Sequence, residues 1–256
     1  DGDPEQQVAA LWAFLAQGDN MAPPPGIRTG DAAYEIEPLD RVRMVGVFMR
    51  DVSPKVLCIG TPEGVHFAWD LQNARLAKAW HGRFLNARGT WEGRAGALES
   101  PPSSDLYEPP PGPTVALFDA PDAWLSAPWP TQSGRMQVRM FDESSRQFGF
   151  TYRCGEVLIQ EVVRPGSSPD GTGWIGRLFS MIGAADHACL RLARGQQIVA
   201  DADADGAFWR VDGAHPYRIR FQPLQGSEVR IVDIDGAQEL RATWAPKTMF
   251  LWSVQW

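Results

Sequence analysis

The chain has 256 residues, 44% hydrophobic and 21% charged, with a formal net charge of -7. That balance describes a globule able to bury a sizeable core, and without a Lys/Arg-rich block it lacks the basic footprint that displaces counterions from phosphates, so nucleic acid is excluded as the expected partner. No apolar stretch approaches the roughly 20 residues of a membrane-spanning helix, and the first residues carry no basic-then-apolar leader pattern. The sequence starts at Asp1 rather than Met, which reads as a processed or excised piece.

Asp3-Pro4-Glu5 reads as a helix start: Asp3 caps orphan amides, Pro4 suits the first helical position and Glu5 complements the positive end of the dipole. The helix is expected to stop near Gly18. Val8, Leu11, Trp12 and Leu15 fall at helical spacing on one apolar face, a candidate docking helix that needs a surface to cover. Asp19-Asn20 and Pro23-Pro24-Pro25-Gly26 then break the helix and form a stiff connector. The expected organisation is therefore a terminal helix at 1–22, a Pro-rich linker at 23–32 and a main domain at 33–256.

From about Ala33 onward, β-branched and aromatic runs bounded by turn residues predict strands. The clearest are 41–50, 56–59, 65–69, 136–141, 148–153, 157–163, 174–182, 189–192, 217–221, 229–234, 239–244 and 249–256. Tyr217, Ile219 and Phe221 alternate with Arg218 and Arg220, the mark of a half-buried sheet member. About twelve short strands without helical pattern between them predict an all-β fold, an antiparallel β-sandwich, with hairpins at Gly155-Glu156 and Asp235-Gly236. A propeller would need a repeat of about 40 to 50 residues, which the chain lacks. The proline-rich segment from Glu99 to Pro113 reads as a long surface loop.

Cys58, Cys154 and Cys189 are far apart and form no Cys-x-x-Cys pair. They read as buried thiols, or as one disulfide with a Cys left over. His66, His81, His187 and His215 have no metal-ligand spacing, although His66 and His81 can meet across a hairpin. No nucleophile elbow, phosphate loop or dinucleotide fingerprint occurs, so no catalytic residue is assigned.

Two constellations remain. Trp69, Trp80 and Trp91 with Asp70, Arg83 and Arg94 have the composition of a sugar platform, since aromatic faces stack on C–H-rich sugar surfaces and guanidinium forks hold hydroxyls. The same residues serve equally as core aromatics and ion pairs fixing turns; Asp70 with Arg83 or Arg94 is the pairing that decides. Asp201, Asp203 and Asp205 before Gly206, with Asp212 at the twelfth place, mimic a calcium loop in which alternating carboxylates converge on one hard cation. Yet Asp replaces the usual bidentate Glu and the flanks read as strands, which also fits a solvated hairpin tip.

Val56 to Asp70 (VLCIGTPEGVHFAWD) and Leu76 to Gly96 (LAKAWHGRFLNARGTWEGRAG) together resemble a block in large secreted proteins of planctomycetes and related bacteria that carry a Cys-x-x-Cys-His cytochrome c module. Asp1 to Leu15 resembles the last helix of such a module, and the likeness reaches Phe150-Thr151-Tyr152-Arg153. The resemblance implies a periplasmic or secreted, haem-linked polypeptide whose partner is a cytochrome c module or other redox protein. This chain holds no haem-attachment motif, so haem c is expected only on an upstream module. The expected function is a non-catalytic docking or carbohydrate-binding accessory module linked to electron transfer. The alternatives are a sugar-processing sandwich enzyme using Asp70 or Glu92 with His66 or His81, and a structural subunit of a larger membrane-associated electron-transfer or photosynthetic complex.

Overall fold

The computed structural model describes residues 30–92, 98–131, 135–142, 147–183, 185–201, 208–221, 227–244 and 248–256. Contacts divide the chain after Glu35. The described part of the first unit is a 3-10 turn at Gly30–Tyr34 followed by Glu35; the expected helix with Val8, Leu11, Trp12 and Leu15, and the proline connector, lie outside the described residues.

The second unit, Ile36–Trp256, is an all-β antiparallel sandwich. In chain order the strands are β1 (Glu35–Ile36), β2 (Arg43–Val47), β3 (Val56–Gly60), β4 (Val65–Asp70), β5 (Arg75–His81), β6 (Leu85–Asn86), β7 (Leu106–Tyr107), β8 (Val115–Leu117), β9 (Arg135–Asp142), β10 (Gln147–Cys154), β11 (Val157–Ser167), β12 (Gly173–Ile182), β13 (Ala188–Gly195), β14 (Gln197–Asp201), β15 (Phe208–Asp212), β16 (Tyr217–Phe221), β17 (Val229–Ile234), β18 (Ala237–Thr243) and β19 (Met249–Gln255). A short helix, α1, spans Arg88–Trp91. One layer is an eight-stranded sheet ordered β14-β15-β16-β19-β12-β11-β10-β9. The facing layer is split into a five-stranded sheet, β2-β3-β4-β5-β7, and a four-stranded sheet, β17-β18-β13-β8.

Period-two alternation builds the large sheet. In β12, Ile175, Arg177, Phe179 and Met181 point inward, while Trp174, Gly176, Leu178 and Ser180 point out. The inward faces of all three sheets merge in one core. Phe67 meets Phe148 edge-on at 5.2 Å, Trp69 stacks on Phe150 at 3.6 Å, and Phe179 meets Trp244 edge-on at 6.3 Å. Every residue of β3 and β4 is buried because the second face of their sheet is covered too: Phe84, Leu85 and Ala87 pack there with Cys58, Ala68 and Trp80. Trp124 and Trp129 do the same for Cys189 in β13 and Ala116 in β8.

Among the described residues, each buried arginine has a partner. Arg177 donates to Glu161 at 2.7 Å and to Thr114 at 3.0 Å, and its guanidinium lies 4.9 Å from the Trp252 ring. Burial raises the Glu161 carboxyl above its ordinary value, against the pull of Arg177. Burial likewise lowers Arg191 to about 10, with Glu239 opposing the shift.

Both predicted hairpins form. Gly155 turns β10 into β11 at φ 54°, and Asp235 and Gly236 turn β17 into β18 at φ 51° and 75°, the two left-handed positions of a type I′ turn. The three cysteines are free, with Cys58 and Cys189 buried. The 99–113 loop differs from expectation in that it contributes β7, which pairs with β5.

Candidate functional site

The structure separates the residues of the aromatic block. Trp69 and Trp80 have no exposed surface and lie on opposite faces of one sheet, Trp69 against Phe150 and Trp80 among Cys58, Ala68 and Phe84. Trp80 spends its indole N–H on the carbonyls of Arg83 and Phe84, both at 3.0 Å. Trp91 is 55% exposed at the end of α1, Arg83 is exposed, and Arg94 lies outside the described residues. Trp69 and Trp80 therefore share no platform, because alternation sends them to two different cores.

Asp70 is fully buried and fixes the β4–β5 turn, accepting from the Ser53 hydroxyl at 2.7 Å, the Gln72 and Asn73 amides at 3.0 and 3.2 Å, and the Asn73 side chain at 2.8 Å. Its cation is Arg75 at 3.7 Å, not Arg83. Glu92 pairs with Arg88 on the surface, His66 is buried, and His81 faces Asp105 at 3.7 Å. The acid/base groups of the enzyme alternative do not converge.

Two carboxylates of the calcium pattern, Asp201 and Asp212, stand apart. Asp201 stands opposite Phe208 and Asp212 opposite Gln197, so the two carboxylates occupy opposite ends of the β14–β15 hairpin, four residues or about 13 Å apart along the strand. Asp201 pairs with Arg218 at 3.5 Å and Asp212 with Arg210 at 3.3 Å. Asp203 and Asp205 lie outside the described residues. Among the described residues, no three His, Cys, Asp or Glu gather around one point.

A different site emerges on the outer face of the large sheet. Arg164 of β11, Gly176 of β12, Ser253 of β19 and Arg220 of β16 stand directly opposite one another in register across four adjacent strands. The two small side chains leave a floor with an arginine on either side. One wall is Trp174; the other is the cross-strand pair Leu178 and Leu251. Together they enclose a groove of about 470 Å³ that also includes Gln147 and Val162.

Two glycines shape that wall. A Cβ on Gly166, the cross-strand partner of Trp174, would come within 2.4 Å of the indole, and one on Gly176 within 3.5 Å. The ring lies against bare backbone at Gly166, and the rest of it faces the groove. Arg220 is steadied by the Phe208 ring, 5.3 Å from its guanidinium carbon. A stiff apolar plate beside forked donors suits a ligand with both C–H faces and oxygen acceptors.

Nothing in the sequence alone marks Trp174, Arg164 and Arg220 as one site. Gly173-Trp174-Ile175-Gly176 does place Trp and Gly on the same outward parity, but Gly166 joins them only through the β11–β12 register. No helix among the described residues is long and apolar enough to cross a membrane. A scan against protein-family models gives no match to this chain, and a search of curated proteins gives none either.

Proposed function

We propose that this domain is a non-catalytic carbohydrate-binding sandwich module. The observation that carries the reading is Trp174, laid against Gly166 and beside Gly176 on a solvent-facing sheet, in a groove floored by small side chains. An indole so placed loses little conformational freedom when a pyranose stacks on it, and the guanidinium and amide groups around it satisfy ring hydroxyls as the sugar leaves water. The absence of convergence between Asp70, Glu92, His66 and His81 supports a binding rather than a hydrolytic role.

Periplasmic or secreted location, and attachment to a cytochrome c module that passes electrons, rest on the resemblance of Val56 to Gly96 alone. In that setting the domain anchors the haem-bearing part beside a polysaccharide. Affinity electrophoresis in gels containing a panel of neutral and acidic polysaccharides tests the reading: retardation by at least one polymer is expected, and Trp174→Ala abolishes it. Migration unchanged by every polymer overturns the proposal. A haem absorbance band in the full natural polypeptide tests the cytochrome link.

A further inference from the structure

Resting on the saccharide reading, we infer that the groove selects an anionic saccharide, one that presents a carboxylate or sulfate oxygen to Arg164 and Arg220. Three arginines of the large sheet are held in ion pairs. On its inner face Arg177 is neutralised by Glu161, and in the next register row of the outer face Arg218 is paired with Asp201 and Arg210 with Asp212. Arg164 and Arg220 differ. Among the described residues no carboxylate lines the groove that holds them, and neither guanidinium has an acidic partner.

In a chain with a net charge of -7 carboxylates outnumber cations, and Arg177, Arg210 and Arg218 of this sheet each take one while Arg164 and Arg220 do not. The two arginines are fixed in one register row, three strand spacings apart, which puts their Cα atoms about 14 Å from each other; beyond Arg220 the row runs on through Phe208 to Asp201, whose ion pair is with Arg218. A span of that size accommodates a short oligosaccharide across the Gly176 and Ser253 floor. Each guanidinium offers a planar fork that matches a carboxylate or sulfate edge, and the Phe208 ring holds Arg220 ready for it. A neutral glycan leaves both forks to water. An acidic one replaces that water with charge-assisted bonds at both ends while stacking on Trp174 in the middle.

Matched polymers separate charge from backbone: polygalacturonate against its fully methyl-esterified form, and dextran sulfate against dextran. Wild-type protein is expected to bind at least one anionic member at least tenfold tighter than its neutral counterpart, read by tryptophan fluorescence titration. Which pair shows the preference distinguishes carboxylate from sulfate. Arg164→Gln and Arg220→Gln each lower the anionic affinity about tenfold. The double variant brings the anionic-to-neutral ratio toward one, with thermal melting confirming that it stays folded.

Equal or tighter binding of the neutral member of both pairs, or an unchanged ratio in the double variant, overturns this inference while leaving the carbohydrate reading standing. Anionic binding that survives Trp174→Ala but not the arginine changes also overturns it, since the two arginines then hold an anion without the indole selecting a saccharide. Failure to bind any of the four polymers overturns it, and the wider gel panel then decides the carbohydrate reading by itself.

Discussion

His66 shows how environment sets the role of a titratable side chain. It is 1% exposed, its Nδ1 accepts from the Thr61 amide at 3.2 Å, and its Nε2–H donates to the Gly82 carbonyl at 2.8 Å, an arrangement that only the neutral ring satisfies. Burial lowers its pKa to about 4; the Gly82 bond opposes the shift and nearby His81 adds to it. Below the ordinary value of 6.5 the unfolded chain takes up a proton that the folded chain refuses, so this contribution to stability is present above 6.5 and is lost as pH falls through about 4. From about pH 7 to about pH 5 the loss comes to roughly 2 kcal/mol. Urea denaturation at the two pH values checks this, and His66→Gln flattens the dependence. Sequence reading marks His66 and Asp70 as chemically capable, which their side chains are. It does not show that both are enclosed, because burial depends on the β4–β5 register and on the bulge between Ala68 and Trp69.

Among elements, the stretch from Pro109 to Thr131 has almost no regular structure, yet it seals one side of the four-stranded sheet. Arg241 of β18 holds it, donating to the carbonyls of Trp124 at 2.5 Å and Ala127 at 2.9 Å and pairing with Glu239 at 2.6 Å. Arg191 of β13 shares Glu239 at 2.9 Å and reaches the Pro111 carbonyl, and the Trp129 ring lies 5.1 Å from both guanidinium carbons. Arg241→Leu removes a cation from a carboxylate with no exposed surface and strands two carbonyls, so unfolding free energy should drop by about 3 kcal/mol. Chemical denaturation measures the drop, and faster proteolysis within 109–131 locates it. This clamp was not legible in the sequence, since Arg241 lies more than 100 residues from the two carbonyls it holds. Strand β5 was missed for another reason: Arg75-Leu76-Ala77-Lys78-Ala79 has helical propensity, overridden when the Asp70-anchored turn folds it back onto β4. By contrast, β16 and β17 coincide with their predicted limits, because each alternates or is bounded by turn residues.

At the scale of the whole molecule, the sandwich class was readable from the number and shortness of the strands, whereas the split of one layer into two sheets was not. Strand pattern reports which residues are buried, not which distant strand they pair with. The split bears on folding, since the five-stranded sheet is drawn wholly from residues 43–107 and has the strand count of a small independent domain. Its aromatic side chains argue otherwise. Phe67 and Trp69 pack on Phe148 and Phe150 of the large sheet, which in turn shares its core with Leu190, Leu240 and Ala242 of the four-stranded sheet. Neither half of the divided layer can bury its apolar face alone, so Ile36–Trp256 should unfold as one cooperative unit. Far-ultraviolet circular dichroism and tryptophan fluorescence are expected to give coincident denaturant midpoints. Phe150→Ala, which opens a cavity between the sheets under Trp69, should lower both midpoints together, at a cost of about 3 to 5 kcal/mol. An early transition seen by one probe alone would instead assign residues 43–107 to a domain of their own, with the Trp69–Phe150 stack as an interface between domains rather than the centre of one core.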